Sequence, residues 1–182
     1  METPPFPAAV LEAARDAAKA RLRDARDDED ALIETMAASA LALGEAFTGS
    51  AWIAREGWQT MLPVRGEWQV LETGPVTAIT AVEGVSAAGD LSALAADAYA
   101  IDIDADGRGW VRVSAPGDAT RLRVTYAAGG VADWADLPAP LAQGVVLLAA
   151  HLFETRGEVA APAAVAALWR PWRRMRLQAA RR

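Results

Sequence analysis

The chain has 182 residues, 53% hydrophobic and 23% charged, with a formal net charge of −6. That composition describes one globular domain with an insertion, or two small ones, and excludes a disordered chain. There is no cysteine, which excludes disulfides, thiolate metal sites and cysteine nucleophiles and fits assembly in a reducing interior.

The charge is uneven. Residues 156–182 hold seven arginines and one glutamate, a balance of +6, so residues 1–155 carry −12 (−6 less +6). An acidic body with a short basic, aromatic terminus has the asymmetry of a protein that offers that terminus to a partner. The opening METPPFPAAV has no positive charge followed by an apolar run, so no signal peptide is expected. The most apolar window, 141–153, is interrupted by Gln143 and His151 and falls short of the roughly 20 residues that span a bilayer. A soluble protein with no membrane partner is expected.

Pro4, Pro5 and Pro7 keep the start extended, and a helix can begin at or just after Pro7. Val10, Leu11, Ala14, Ala18 and Leu22 then recur at helical spacing. The acidic run Asp27-Asp28-Glu29-Asp30 leads into a second helix, with Asp27 or Asp28 as N-cap and the other carboxylates at the positive end of its dipole. Leu32, Ile33, Met36, Ala40, Leu43 and Phe47 form its apolar stripe, and Gly49 is its stop.

From Ala51 the period falls to two. Trp52, Ala54, Trp58, Thr60 and Leu62 alternate with more polar residues, and Val76, Ala78, Thr80 and Val82 do so less clearly. Tyr99, Ile101 and Ile103 alternate with aspartates, Val111 and Val113 with Trp110 and Arg112, and Leu122, Val124 and Tyr126 with Arg121, Arg123 and Thr125. Glycine and proline punctuate these runs, which predicts a small antiparallel sheet or sandwich. The alanine-rich stretch 91–98 reads as a short helical turn. A third helix starts at Pro138 or Pro140, with Leu141, Val145, Leu148 and Leu152 on one face and Gly157 as its stop. Gly144, Ala142, Ala149 and Ala150 leave room for another helix to approach it.

The expected class is α+β: a helical bundle from both chain ends, with a small antiparallel β module inserted between the second and third long helices. The expected divisions are 1–50 for the first bundle helices, 51–136 for the β module, 137–160 for the third helix and 161–182 for a terminal docking segment.

No catalytic constellation is visible. Asp102, Asp104, Asp106 and Gly107 have the spacing of a calcium loop, but its twelfth position is Val113 and not a bidentate Glu. Asp106-Gly107 reads better as a hairpin turn. His151 is the sole histidine, and with Glu154 it makes no metal site. The acids from Asp27 to Asp30 read as helix-start charges and not as paired catalytic carboxylates. G-x-S-x-G, P-loop and G-x-G-x-x-G motifs are all absent. The reading is a non-enzyme with no cofactor and no metal.

The informative stretch is 161–182. Leu168, Trp169, Arg170, Pro171, Trp172, Arg173, Arg174, Met175, Arg176 and Leu177 combine two indoles with closely spaced guanidinium groups. Such a segment can grip nucleic-acid phosphates, or it can insert into a partner's groove with its tryptophans as hot spots. The aromatic content and the acidic body favour the protein partner, since an acidic body repels DNA.

Laid out in order, these residues resemble the head–tail connector (adaptor) family of tailed phages, prophages and gene transfer agents. The likeness rests on Ala20-Arg21-Leu22-Arg23 followed by the acidic run with Ala31-Leu32-Ile33, and on Phe47-Thr48-Gly49. It continues through Tyr99-Ala100-Ile101-Asp102 with Gly107-Arg108-Gly109, and through Val124-Thr125-Tyr126-Ala127-Ala128-Gly129. Pro138, the helix from Leu147 to Arg156, and Leu168-Trp169-Arg170-Pro171-Trp172-Arg173 complete it. Trp172 stands where the family usually has tyrosine, and the arginine run beyond it is richer than usual.

The resemblance implies a ring, dodecameric in that family, seated under the portal protein, with the C-terminal segment engaging the portal. It implies a tail-side stopper or tail terminator protein as the second partner, and DNA passing through the channel without specific binding. The expected location is the neck of a virion or gene transfer agent particle assembled in the bacterial host cytoplasm. A neck or tail-completion protein of another layer, and a nucleic-acid-binding protein using the arginines, are the competing readings.

Overall fold

A computed structural model describes residues 2–22, 26–156 and 160–174. The chain is α+β, with four α-helices and two small antiparallel sheets among the described residues. It divides into two compact units: one joins Phe6–Ser50 to the chain from Asp133 onward, the other joins Met1–Pro5 to Ala51–Ala132.

The first unit is helical. Helix α1 (Ala8–Lys19) begins directly after Pro7 and buries Val10, Ala14 and Ala18. Helix α2 (Asp30–Thr48) is preceded by a 3-10 turn over Asp27–Glu29. Neither Asp27 nor Asp28 is therefore the N-cap. Glu29 holds that position with no side-chain cap, because the acidic run is itself already helical. Asp30 accepts from Lys19 Nζ at 2.6 Å, so the run is tied to α1 by an ion pair.

The buried stripe of α2 also differs from the expected one. Ile33, Ala37, Ala40, Leu41, Gly44 and Thr48 face inward, whereas Leu32 and Leu43 are about half exposed, at 49% and 52%. The inward side carries Ile33 and Leu41 among small residues, and Leu32 and Leu43 fall on the other side of the helix. Gly49 ends α2 in the left-handed conformation (φ 68°), its N–H bonded to Glu45 O at 2.8 Å.

Helix α3 (Ala139–Thr155) starts after Pro138 and buries Leu141, Gly144, Val145, Leu148, Ala149 and Ala150. Its C-terminal cap is Arg156 at φ 52°; Gly157, the expected stop, lies outside the described residues. A short helix α4 (Ala163–Trp169) packs on α3 and runs into a 3-10 turn, Arg170–Trp172. Helices α1, α2 and α3 contact one another.

In the second unit, strands β1 (Arg55–Pro63), β2 (Gln69–Val70), β3 (Val76–Val85), β4 (Leu91–Ala93), β5 (Tyr99–Ile103), β6 (Gly109–Val113) and β7 (Arg121–Ala128) form sheets ordered β1-β7-β3-β4 and β2-β6-β5. One cluster unites them: Trp58, Val76, Val82, Leu122, Val124 and Tyr126 of the larger sheet with Val111 and Val113 of the smaller. Trp58 stacks on Tyr126, ring centroids 6.4 Å apart. The weak alternation of β3 has a cause. Its register against β7 shifts between Val76 and Ala78 and again between Ile79 and Ala81, so the buried phase slips and Thr80 faces out.

Two further expectations fail here. The 91–98 stretch supplies strand β4, paired to Glu83–Val85 across a turn in which the Asp90 N–H donates to Ser86 Oγ at 3.1 Å. In β5, Ile101 and Ile103 are exposed (46% and 38%) because the strand is a sheet edge, beyond the reach of the core.

Candidate functional site

The terminal segment is built from α4 outward. Pro162 stands at its N-cap, and Val165 and Trp169, one turn apart, form its buried side. The Trp169 indole is 3% exposed. Its Nε1–H donates to Leu141 O at 3.2 Å, and its ring lies 6.1 Å from that of Phe47 at a 49° tilt.

Gly144 of α3 makes room for it. A Cβ at that position would sit 2.1 Å from Trp169 Nε1. The small residue expected to admit a neighbouring helix admits an indole. Trp169 is thus committed to the chain's own interior, and the sequence reading that aimed it at a partner is revised accordingly.

Trp172 has the opposite fate. Trp172 closes the 3-10 element directly after Pro171, and its indole is 42% exposed. Arg170, Pro171, Arg173 and Arg174 are exposed beside it, and Leu168 is half-buried. The chain then turns back along the end of α2. Arg173 places its guanidinium carbon 5.7 Å from the Phe47 ring centre, and the Arg174 N–H donates to Thr48 O at 2.8 Å. That bond satisfies one of the carbonyls a helix leaves open at its C-terminus, and the Arg173 cation stands near the negative end of the helix dipole. Met175, Arg176 and Leu177, like Arg181 and Arg182, lie outside the described residues.

Of the candidate segment Leu168 to Arg174, the structure buries Trp169 and leaves Arg170, Pro171, Trp172, Arg173 and Arg174 exposed. Phe47, Thr48 and Gly144 touch this segment. Sequence spacing did not reveal them, although Phe47-Thr48-Gly49 is one of the fragments on which the resemblance rests.

The other candidates resolve into structure. Asp104 Oδ1 accepts from Arg108 N at 2.8 Å and Asp106 N at 3.0 Å, and Oδ2 accepts from Trp110 Nε1 at 3.1 Å. These bonds, the Arg108 amide first, hold its carboxyl below the ordinary aspartate range. The three aspartates lie on and beside a hairpin between β5 and β6, paired Ile103 to Gly109, and no metal-holding group of acids and histidine occurs among the described residues. His151 is half-buried on α3, and its carbonyl accepts from Thr155 Oγ1 at 2.7 Å.

No protein-family model matches the chain. No curated protein matches it either. Solved structures do. A chain from the neck of an empty gene transfer agent (GTA) particle, solved with C6 symmetry, is 32% identical, with a TM-score of 0.74 over 100% of this chain and 98% of that one. A chain from the native GTA particle neck, solved with C12 symmetry, is 32% identical at a TM-score of 0.71, with both chains covered in full. A chain from the virion of the native GTA particle gives 32% and 0.70, over 98% of this chain and 96% of that one. At that identity and coverage, with the resemblance already carried by the residues above, the chain belongs to the head–tail connector (adaptor) family of phages and gene transfer agents, structural proteins of the particle neck.

Proposed function

We propose that the protein forms a ring in the particle neck beneath the portal protein, joins the capsid to a tail-side stopper or tail terminator protein, and docks on the portal through its C-terminal segment from Arg170 onward. The helices of both chain ends serve as the bundle that carries this segment, and the β strands are its insertion. The observation that carries the docking reading is the split between the two tryptophans: Trp169 is locked into Gly144 and Leu141, while Trp172 is presented bare among exposed arginines.

A rigid base under an exposed indole and guanidinium groups is the form of a hot spot, because little ordering remains to be done on binding. Repetition around a ring multiplies a modest contact into a durable one. The acidic body, at −12 over residues 1–155, suits a channel that DNA passes without sticking, since phosphate binding comes from Lys and Arg.

The test is co-sedimentation of purified portal rings with the full chain, with Trp172→Ala, and with a chain lacking residues 175–182. Truncation from Val165, the simplest deletion on sequence grounds, is unsuitable because it removes two core side chains. Trp172→Ala is expected to weaken binding by about 30-fold, the loss of one hot-spot residue, at unchanged thermal stability. Neutralising Arg181 and Arg182 is expected to cost less. The reverse order of sensitivity, with a steep salt dependence and retention of duplex DNA, would instead establish nucleic-acid binding by the arginines.

A further inference from the structure

Helix α2 turns only one side inward. Its other face, formed by Leu32, Thr35, Ser39, Ala42, Leu43 and Ala46, is exposed and uncharged along roughly 21 Å of helix. A helix that borders water normally shows it charged side chains, and this chain is 23% charged. The face is also dry in a stricter sense. Thr35 Oγ1 donates to Ala31 O at 2.9 Å and Ser39 Oγ donates to Thr35 O at 2.9 Å. Both hydroxyl protons are spent inside the helix, so the surface can leave water without stranding a donor. The helix is apolar enough along its 19 residues to meet the length and composition of a bilayer span, yet only 39% of that window is buried.

The same chain carries a second uncharged surface. Ala160, Ala161, Ala163, Ala164 and Ala167 are exposed, and no charge intervenes before Arg170. A closed cyclic ring is built head to tail, from two different patches of one chain that fit each other. Similar chains occupy necks of C6 and C12 symmetry. Two exposed leucines on one neutral surface and a run of exposed, small alanine side chains on another are uncharged alike, so neither strands a charge when they meet.

We infer that the exposed face of α2 is the side-to-side surface of the ring, covered by the alanine surface at 160–167 of a neighbouring copy. The inference rests on the ring of the proposed function but not on portal docking. DNA does not fit this face, which offers no cation to a phosphate.

The absence of native cysteine makes introduced thiols unique. In purified particles, the double variant Ser39→Cys with Ala164→Cys is expected to give a ladder of covalent chain multimers with a short bismaleimide, and neither single variant any ladder. Ala42→Cys with Ala164→Cys serves as the second pair should position 39 disturb α2. The Ser39→Cys thiol should react with maleimide about tenfold more slowly in assembled particles than in the free chain, as expected where an interface excludes water. Links confined to one chain, links to a different particle protein, or a thiol equally reactive in both states would overturn the assignment.

Flotation separates it from a bilayer. The free chain should stay at the bottom of a gradient with phosphatidylethanolamine–phosphatidylglycerol vesicles, and flotation abolished by Leu43→Asp would overturn the protein partner. The Trp172→Ala and tail-truncated chains report on docking alone, so the two readings fail separately.

Discussion

Trp169 and Trp172 are the same side chain three residues apart, and the chain uses them for opposite purposes. The first fills a slot that only a glycine could leave open, since a Cβ on Gly144 would fall 2.1 Å from its Nε1. Gly144→Ala is therefore expected to destabilise by about 1–3 kcal/mol through overpacking. Trp169→Ala, which empties the slot, should cost about 3–5 kcal/mol. Thermal or denaturant unfolding checks both, and a loss under half a kcal/mol for either, well below these ranges, would mean the indole does not sit there. Trp172→Ala should leave unfolding within about 0.5 kcal/mol of the parent, as an exposed substitution does, and show its effect only in portal binding. The sequence supplied the aromatic pair and its arginines. It did not supply their division, because nothing in residue type distinguishes a tryptophan facing in from one facing out. That depends on a glycine 25 residues away, which opens a slot for one indole and not for the other.

Among the elements, helices α1 and α3 and most strands follow directly from periodicity, and the departures have a common origin. In α2 Leu32 and Leu43 were expected inside, but α1 and α3 meet the helix on the side of Ile33, Ala37, Leu41 and Gly44, which leaves those two leucines outside. In β5 the alternation is present without the burial, because an edge strand outruns the core. Such positions are set by neighbours distant in sequence.

The β5–β6 hairpin offers a test of its own. Asp104 holds its turn through two backbone amides and the Trp110 indole, and its carboxyl titrates below its ordinary value. A depressed aspartate stabilises fully above its unfolded pKa, about 3.9, and loses that contribution as pH falls through the lower folded value. Amide exchange in β5 and β6 is expected to quicken, relative to β1 and β7, as pH drops below about 4. Asp104→Asn should remove that pH dependence, and an unchanged profile in the variant would show that the aspartate is not its source.

For the whole molecule, the governing feature is the separation of charge between an acidic body and a basic, aromatic terminus. A subunit of this kind repels DNA along most of its surface and keeps its attractive side chains for one end. The Arg174 N–H bonded to Thr48 O holds the exposed residues Arg170–Arg174 at the end of α2, so every copy in a ring would offer them at the same place. Removing residues 175–182, which leaves Trp172, Arg170, Arg173 and Arg174 in place, should give a folded chain of unchanged unfolding midpoint that sediments with portal more weakly than the full chain, and adding Trp172→Ala to it should abolish sedimentation. Sedimentation retained by that doubly altered chain would place the join elsewhere in the chain. The most direct measurement is an electron-microscopy reconstruction of this protein bound to its portal. The account predicts a ring in which Trp172 and the neighbouring arginines are enclosed by portal density at every copy. Trp172 bare to solvent in that reconstruction, with the contact made through another surface, would contradict it.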